Sequence, residues 1–263
     1  MKMRHILTAI TITVIIGALA CSGYALDPKT IVGVWLLDEG KGTVVADSSG
    51  NGHDGKITGS PAWIAGKFGK ALQFAGGSDL VTIPDDDSLE FGVKSFSVVT
   101  WFKFSTAQDW NRIVRGRNPG PWGGGNTGWE LQTQGSAINW SLDDTAKNNL
   151  QTMHNNVANG EWHHTAMIVN REKKTLLAYL DGGNEQSLNI ANIVSISANI
   201  PLVIGGGLNG SIDDVAIFSA AITLDDVNNI MNVGLSEALK KNLSVVSSPE
   251  KMATKWGLIK STY

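Results

Sequence analysis

Cysteine is nearly missing from this chain: Cys21 is the one thiol among 263 residues. A single thiol makes no intrachain disulfide, so the fold is held by packing and hydrogen bonds in whatever compartment it occupies. Proline is scarce as well, at 7 residues against 30 glycines. Charged residues reach only 17% and the net charge is −3. No basic patch is present of the kind that nucleic acid or an anionic membrane surface selects. The longest apolar run, Ile6 to Ala20, falls short of the about 20 residues that span a bilayer. Missing too are a Gly-x-Ser-x-Gly elbow, a His-Glu-x-x-His pair and a phosphate loop, which removes the best-marked hydrolase and nucleotide-binding chemistries. What the chain does have is 42% hydrophobic residues, enough to bury a core and too many for wholesale disorder.

Lys2, Arg4 and His5 precede the apolar run, and Gly23-Tyr24-Ala25 supplies a small-x-small site after it. This is the layout of a signal peptide cleaved after Ala25. The expected organisation is a signal peptide over 1–25, one globular domain over 27–235 and a C-terminal extension over 236–263. The expected destination is secreted, periplasmic or cell-surface. Ala18-Leu19-Ala20-Cys21 offers the alternative of a lipid anchor at Cys21.

From Asp27 onward, short β-like runs alternate with Gly, Asn and Asp. Ser95 to Phe104 is the strongest, with Phe96, Val98, Phe102 and Phe104 on one face and Val99 and Trp101 on the other. Apolar residues on both faces predict a central strand covered on both sides. Lys70–Phe74 and Leu80–Ile83 flank Gly76-Gly77-Ser78-Asp79, read as a hairpin. Further runs lie at Asn111–Val114, Gly128–Gln132, Ala137–Leu142, Trp162–Val169, Thr175–Leu180, Pro201–Ile204 and Ser211–Phe218. So many short strands predict an all-β sandwich or barrel rather than an α/β fold. One helix is expected near 224–232, with Thr223 as N-cap and Asp226 completing a capping box.

Five segments carry a resemblance. They are Trp35–Gly42 with Asp47-Ser-Ser-Gly-Asn-Gly-His-Asp-Gly55, Phe68–Gly76, Phe96–Lys103, Trp162–Ala166 with Leu180-Asp181-Gly182, and Asn209–Phe218. In that order they resemble the laminin-G-like, concanavalin A-like lectin/glucanase family. The resemblance implies a two-sheet jelly roll. It says little about activity, because this fold serves enzymes, lectins and adhesion modules alike.

Hydrolases of this fold carry a Glu-x-Asp-x-x-Glu strand, which alternation turns toward a cleft. The acidic clusters here, Asp85–Asp87, Asp143-Asp144 and Asp225-Asp226, lack that spacing, so no catalytic residue is assigned. The expected function is recognition of a glycan or another extracellular surface polymer. The alternatives are an adhesion protein acting through protein contacts and a diverged glycosidase. Trp122 sits in the Gly-rich stretch Pro119–Asn126, and Trp110 lies just before it. With Asn126 these are the candidate sugar contacts, since loops on rigid β scaffolds carry binding. Trp129 and Trp140 fall inside strand-like runs and read as core. The resemblance also implies a structural calcium ion, with Asp213 on the last strand and Asp38 and the Gly76 carbonyl as partners. The competing reading is that Asp213 hydrogen-bonds a neighbouring turn. Alternation would put Asp213 and Asp214 on opposite faces.

Overall fold

A computed structural model describes residues 26–118 and 126–246, with side chains as far as residue 240. The expected signal peptide, Cys21, Trp122 and the end of the C-terminal extension lie outside these residues.

Apolar runs broken by turn-forming glycines become sixteen strands. They are β1 (Ile31–Trp35), β2 (Val44–Val45), β3 (Gly55–Thr58), β4 (Ala62–Ala65), β5 (Lys70–Ala75), β6 (Leu80–Ile83), β7 (Phe96–Lys103) and β8 (Arg112–Arg117). There follow β9 (Gly128–Gln134), β10 (Ala137–Asp143), β11 (Asn149–Gln151), β12 (His163–Asn170), β13 (Thr175–Leu180), β14 (Gly183–Asn189), β15 (Leu202–Gly205) and β16 (Asn209–Phe218). Among the described residues these form two antiparallel sheets of eight strands. The first runs β14-β13-β12-β7-β16-β5-β4, with β1 also on β16; the second runs β11-β10-β9-β8-β15-β6-β3-β2. The all-β class is what the strand pattern predicts, and the two-sheet jelly-roll sandwich is what the family resemblance implies.

The inner faces meet in one large core that includes Trp35, Phe74, Phe96, Phe102, Trp129 and Trp140, all buried. Trp129 and Trp140 are core, as their strand positions predict. Trp140 Nε1 donates to Thr165 Oγ1 at 2.9 Å, which ties the second sheet to the first. At the open edge the side chain of Gln186 accepts from Met153 N and donates to Met153 O, joining β14 to the segment after β11. As β7 predicts, its other face is also buried: Val99, Phe218, Ile168 and Tyr179 form a second cluster with Val227, Ile230, Leu235 and Ala238.

Two readings are corrected. The segment Gly76–Asp79 is not a hairpin turn, because β5 pairs with β4 and β16 while β6 pairs with β3 and β15. It is an arch between the sheets. Gly76 and Gly77 take positive φ there, and Asp79 holds the arch by accepting from Ala75 N and Ser60 N. Nor is there one helix. Thr223 does cap α1 (Leu224–Val233) in a capping box with Asp226, but α2 (Leu235–Val246) follows at once, inside the residues read as an extension. Leu235 and Ala238 are fully buried against the first sheet. Short apolar pairs such as Val44-Val45 and polar strands such as β14 carry too little pattern to be read from sequence.

Candidate ligand-binding face

The family-like motifs prove to be structural clasps. Asp47 Oδ1 accepts from Val34 N and Ser49 N, and Oδ2 accepts from Ser49 Oγ and His53 N, over 2.8–3.0 Å. Burial opposes ionisation of this carboxyl, yet those four donors hold its pKa below the ordinary range. His53 O in turn accepts from Trp35 Nε1 at 2.8 Å. The Asp-x-Ser-Gly-Asn-Gly-His segment thus fastens a turn to the core.

The calcium set does not assemble. Asp213 Oδ2 accepts from Lys67 N and Phe68 N at 2.8 and 3.0 Å, and Asp38 Oδ1 accepts from Lys70 N at 2.6 Å. Both aspartates therefore hold one turn, 66–70. A Cβ at Gly66 would stand 2.6 Å from Asp213 Oδ2 and one at Gly69 would stand 2.1 Å from Asp38 Oδ1, so glycine lets the backbone approach the carboxylates. Gly76 lies elsewhere, at the Asn209 end of β16, where its carbonyl accepts from Asp79 N. Four or five residues of strand, about 15 Å, separate it from Asp213. Among the described residues no three His, Cys, Asp or Glu side chains are placed to hold a metal ion. These residues do not fit a calcium shell.

Alternation fails at Asp213 and Asp214 because a bulge interrupts β16 there and Asp214 takes φ +48°. Ile212 and Val215 remain in the main core, and both carboxylates serve the helix-covered side. Asp214 Oδ2 accepts from Leu235 N at 3.0 Å. Burial pushes Asp213 up to about 8 and Asp214 up to about 7, with the charge of Asp38 adding to both.

The outer face of the second sheet is built differently. On β8, β9 and β10 the residues that alternate with the core are polar, and they align in rows across three strands. Arg112, Gln132 and Asn139 form one row; Arg115, Glu130 and Ser141 form the next; Arg117, Gly128 and Asp143 form the third. A bulge between Arg112 and Val114 brings the three arginines to one face. Because Gly128 has no side chain, Arg117 reaches across it: its Nε lies 2.7 Å from Asp143 Oδ2, and its Nη1 donates to Glu130 Oε2 at 2.9 Å. Glu130 is only 2% exposed, and Asn139 and Ser141 are fully buried. Among the described residues Arg115 Nε, Asn139 Oδ1 and Ser141 Oγ have no hydrogen-bond partner. Buried polar groups are nearly always paired, so three orphaned atoms on one small field call for an explanation. Sequence reading missed this face because its arginines and carboxylates are scattered over thirty residues and only strand register assembles them.

Of the expected sugar contacts, Trp110 is 47% exposed, takes φ +58° and precedes β8. Asn126 stands at the other end of the same hairpin, beside Thr127, whose N donates to Asn118 Oδ1. Eight residues of chain, about 25 Å at strand rise, separate Trp110 from Asn118. One sugar ring cannot meet both Trp110 and Asn126; the arginine rows lie between them. Of the two adjacent histidines, His163 Nδ1 sits 2.8 Å from Asp181 Oδ2, while His164 is buried beside Trp101 and pushed down to about 4 by burial.

Comparison with known proteins follows the fold. The chain is 21% identical over 196 residues to the non-toxic nonhemagglutinin type C of a Clostridium botulinum C phage, covering 73% of this chain and 16% of that protein. Among solved structures it matches the binding domain of Paraclostridial Mosquitocidal Protein 1 at 15% identity and a TM-score of 0.68, covering 79% of this chain and 53% of that one. The botulinum neurotoxin serotype D ligand-binding domain, solved with N-acetylneuraminic acid, matches at 16% identity and a TM-score of 0.61, covering 78% and 51%. The chain thus spans about a sixth of the curated relative and about half of the solved domains. The family model for the concanavalin A-like lectin/glucanases superfamily matches residues 75–228, more than half of the chain, from the arch before β6 into α1. The chain belongs to the concanavalin A-like lectin/glucanase superfamily.

Proposed function

We propose that this protein is a binding module that recognises an extended glycan along the outer face of its second sheet. The observation that carries the reading is the three-row polar field of β8–β10, in which Arg112, Arg115 and Arg117, each only partly buried, line one side of the sheet. A few charged and polar groups on a rigid strand scaffold are what fix a hydroxyl-rich ligand. Trp110 and Asn126 at the two ends of the hairpin suit a chain of several sugar units better than one ring. The two carboxylates of the field, Glu130 and Asp143, are both held by Arg117, an arrangement that suits binding more than acid–base chemistry. Structural neighbours named as binding domains, one of them solved with N-acetylneuraminic acid, support the same reading. Export rests on the composition of residues 1–25; among the described residues no helix is long and apolar enough to cross a membrane.

A glycan array on the protein tests this, followed by titration with the best ligand. Arg112→Ala is expected to weaken binding about tenfold, on the scale of a lost charged hydrogen bond, with the melting temperature little changed. An array without binders, read on demonstrably folded protein, rejects the glycan reading in favour of a protein partner.

A further inference from the structure

The three arginines of the β8–β10 face are not equivalent. Arg117 engages Glu130 and Asp143, and Arg112 Nε lies 3.9 Å from Glu130 Oε1. Those are the two carboxylates of the field. Arg115 stands opposite Glu130 in the register and feels its charge, yet among the described residues it comes within ion-pair or hydrogen-bond distance of neither carboxylate. Three guanidinium groups face two carboxylates, so one positive charge is left uncompensated in the middle row. The chain as a whole carries a net charge of −3, so this surplus does not come from a generally basic protein. Desolvation, and then the neighbouring charge of Arg112, pull the Arg115 pKa below the usual guanidinium range. Both costs fall when an anion is bound. A guanidinium is also a planar fork, and a carboxylate matches it with two parallel hydrogen bonds.

We propose that Arg115 is the anion anchor of this face and that its ligand is an acidic glycan, one bearing carboxylate groups along the chain. This rests on the glycan reading above and narrows it to a chemical class. The probes are polygalacturonate and hyaluronate, each beside its carboxyl-reduced neutral twin, so that each pair differs in charge and little else. Wild-type protein is expected to bind at least one acidic polymer about tenfold tighter than its twin. Arg115→Gln is expected to bind both members of that pair equally. Arg115 makes no ion pair or hydrogen bond among the described residues, and Arg117 and Arg112 still neutralise Glu130, so that variant should melt close to the wild type, and melting curves check this. Arg115→Lys keeps the charge without the fork and should recover only part of the preference. Equal binding of both twins by the wild type overturns the carboxylate assignment, as does a preference that survives in Arg115→Gln. So does failure to bind all four polymers when a neutral glycan is bound on the array. Failure on every glycan, by contrast, brings down the broader reading.

Discussion

The outer faces of the two sheets begin from one rule and end as opposites. In both, alternate residues along each strand point away from the core. On the first sheet those residues are Val34, Val99, Ala166, Ile168, Tyr179 and Phe218, and α1 with α2 covers them to make a second hydrophobic cluster. Even its buried carboxylates have structural employment: Asp213 holds the 66–70 turn and Asp214 holds the start of α2. On the second sheet the matching positions are arginine, glutamate, glutamine, asparagine and serine, and several buried atoms have no partner. Both faces keep some buried polar atoms without a partner among the described residues: Trp101 Nε1, the His164 ring nitrogens and Asp213 Oδ1 on the first, Arg115 Nε, Asn139 Oδ1 and Ser141 Oγ on the second. The difference is in charge: the second face gathers three arginines around two carboxylates, while the first is mostly apolar and covered by helices.

The comparison is broken most severely from the first sheet. Phe218 is fully buried in the outer cluster and no atom of it reaches the polar face. Phe218→Ala should cost about 3–5 kcal/mol, by lost transfer energy plus the cavity. Urea unfolding measures it. Binding per folded molecule should not change; a parallel loss of affinity would mean the two faces are coupled and that the contrast is false.

A smaller effect, on the order of 2 kcal/mol, is expected from pH. The unfolded carboxyl titrates near 4, while folded Asp214 and Asp213 sit at about 7 and about 8. A carboxyl whose folded pKa is raised contributes stability that is present at low pH and is lost as pH rises through the folded value. The window therefore runs from about pH 4 to about pH 8. The charges around the pair are Asp38, which adds to the shift, and Lys67, whose ammonium lies over the Trp101 ring. His164, held neutral by burial, acts from the other side by disfavouring the folded state below its ordinary pKa, and that contribution cancels in a variant comparison. Asp213→Asn keeps an oxygen for the Lys67 and Phe68 amides and cannot ionise. Its melting temperature should exceed the wild type's by roughly 5 °C at pH 9, with the gap closing toward pH 4. A constant gap across pH would assign the effect to packing alone.

Legibility in the sequence followed the same divide. The sandwich was readable because its information is local: alternation in β7, turn glycines, and the Thr223/Asp226 box all act within a few residues. The Gly76–Asp79 arch was misread because a glycine turn looks the same whether its strands pair or part to different sheets. Asp213 was read as a calcium ligand with turn-holding as the competing reading; it holds the 66–70 turn, and the bulge that turns Asp214 to the same side leaves no trace in composition. The arginine face was invisible, since Arg115, Glu130 and Ser141 become neighbours only through pairings across β8, β9 and β10. Trp110 was legible as a residue out of place, though not as one end of a long surface.

Trp110 gives the smallest stability effect and the sharpest contrast. It is nearly half exposed, so Trp110→Ala should alter unfolding free energy far less than Phe218→Ala does, by on the order of 1 kcal/mol. Its backbone is nonetheless in the left-handed region, at φ +58°, a conformation that disfavours a side chain of that size. Its amide is held there by donating to Thr133 O at 2.9 Å, on the strand that bears Glu130 and Gln132. An exposed aromatic in a costly conformation at the end of a polar field is placed for a ligand to stack on, and stacking is lost wholly on truncation. Trp110→Ala should therefore weaken glycan binding severalfold while chemical unfolding moves little. Isothermal titration alongside urea melts separates the two quantities. Unchanged affinity would confine the ligand to the arginine rows and remove the tryptophan from the site; a large drop in stability would show that the ring packs as core.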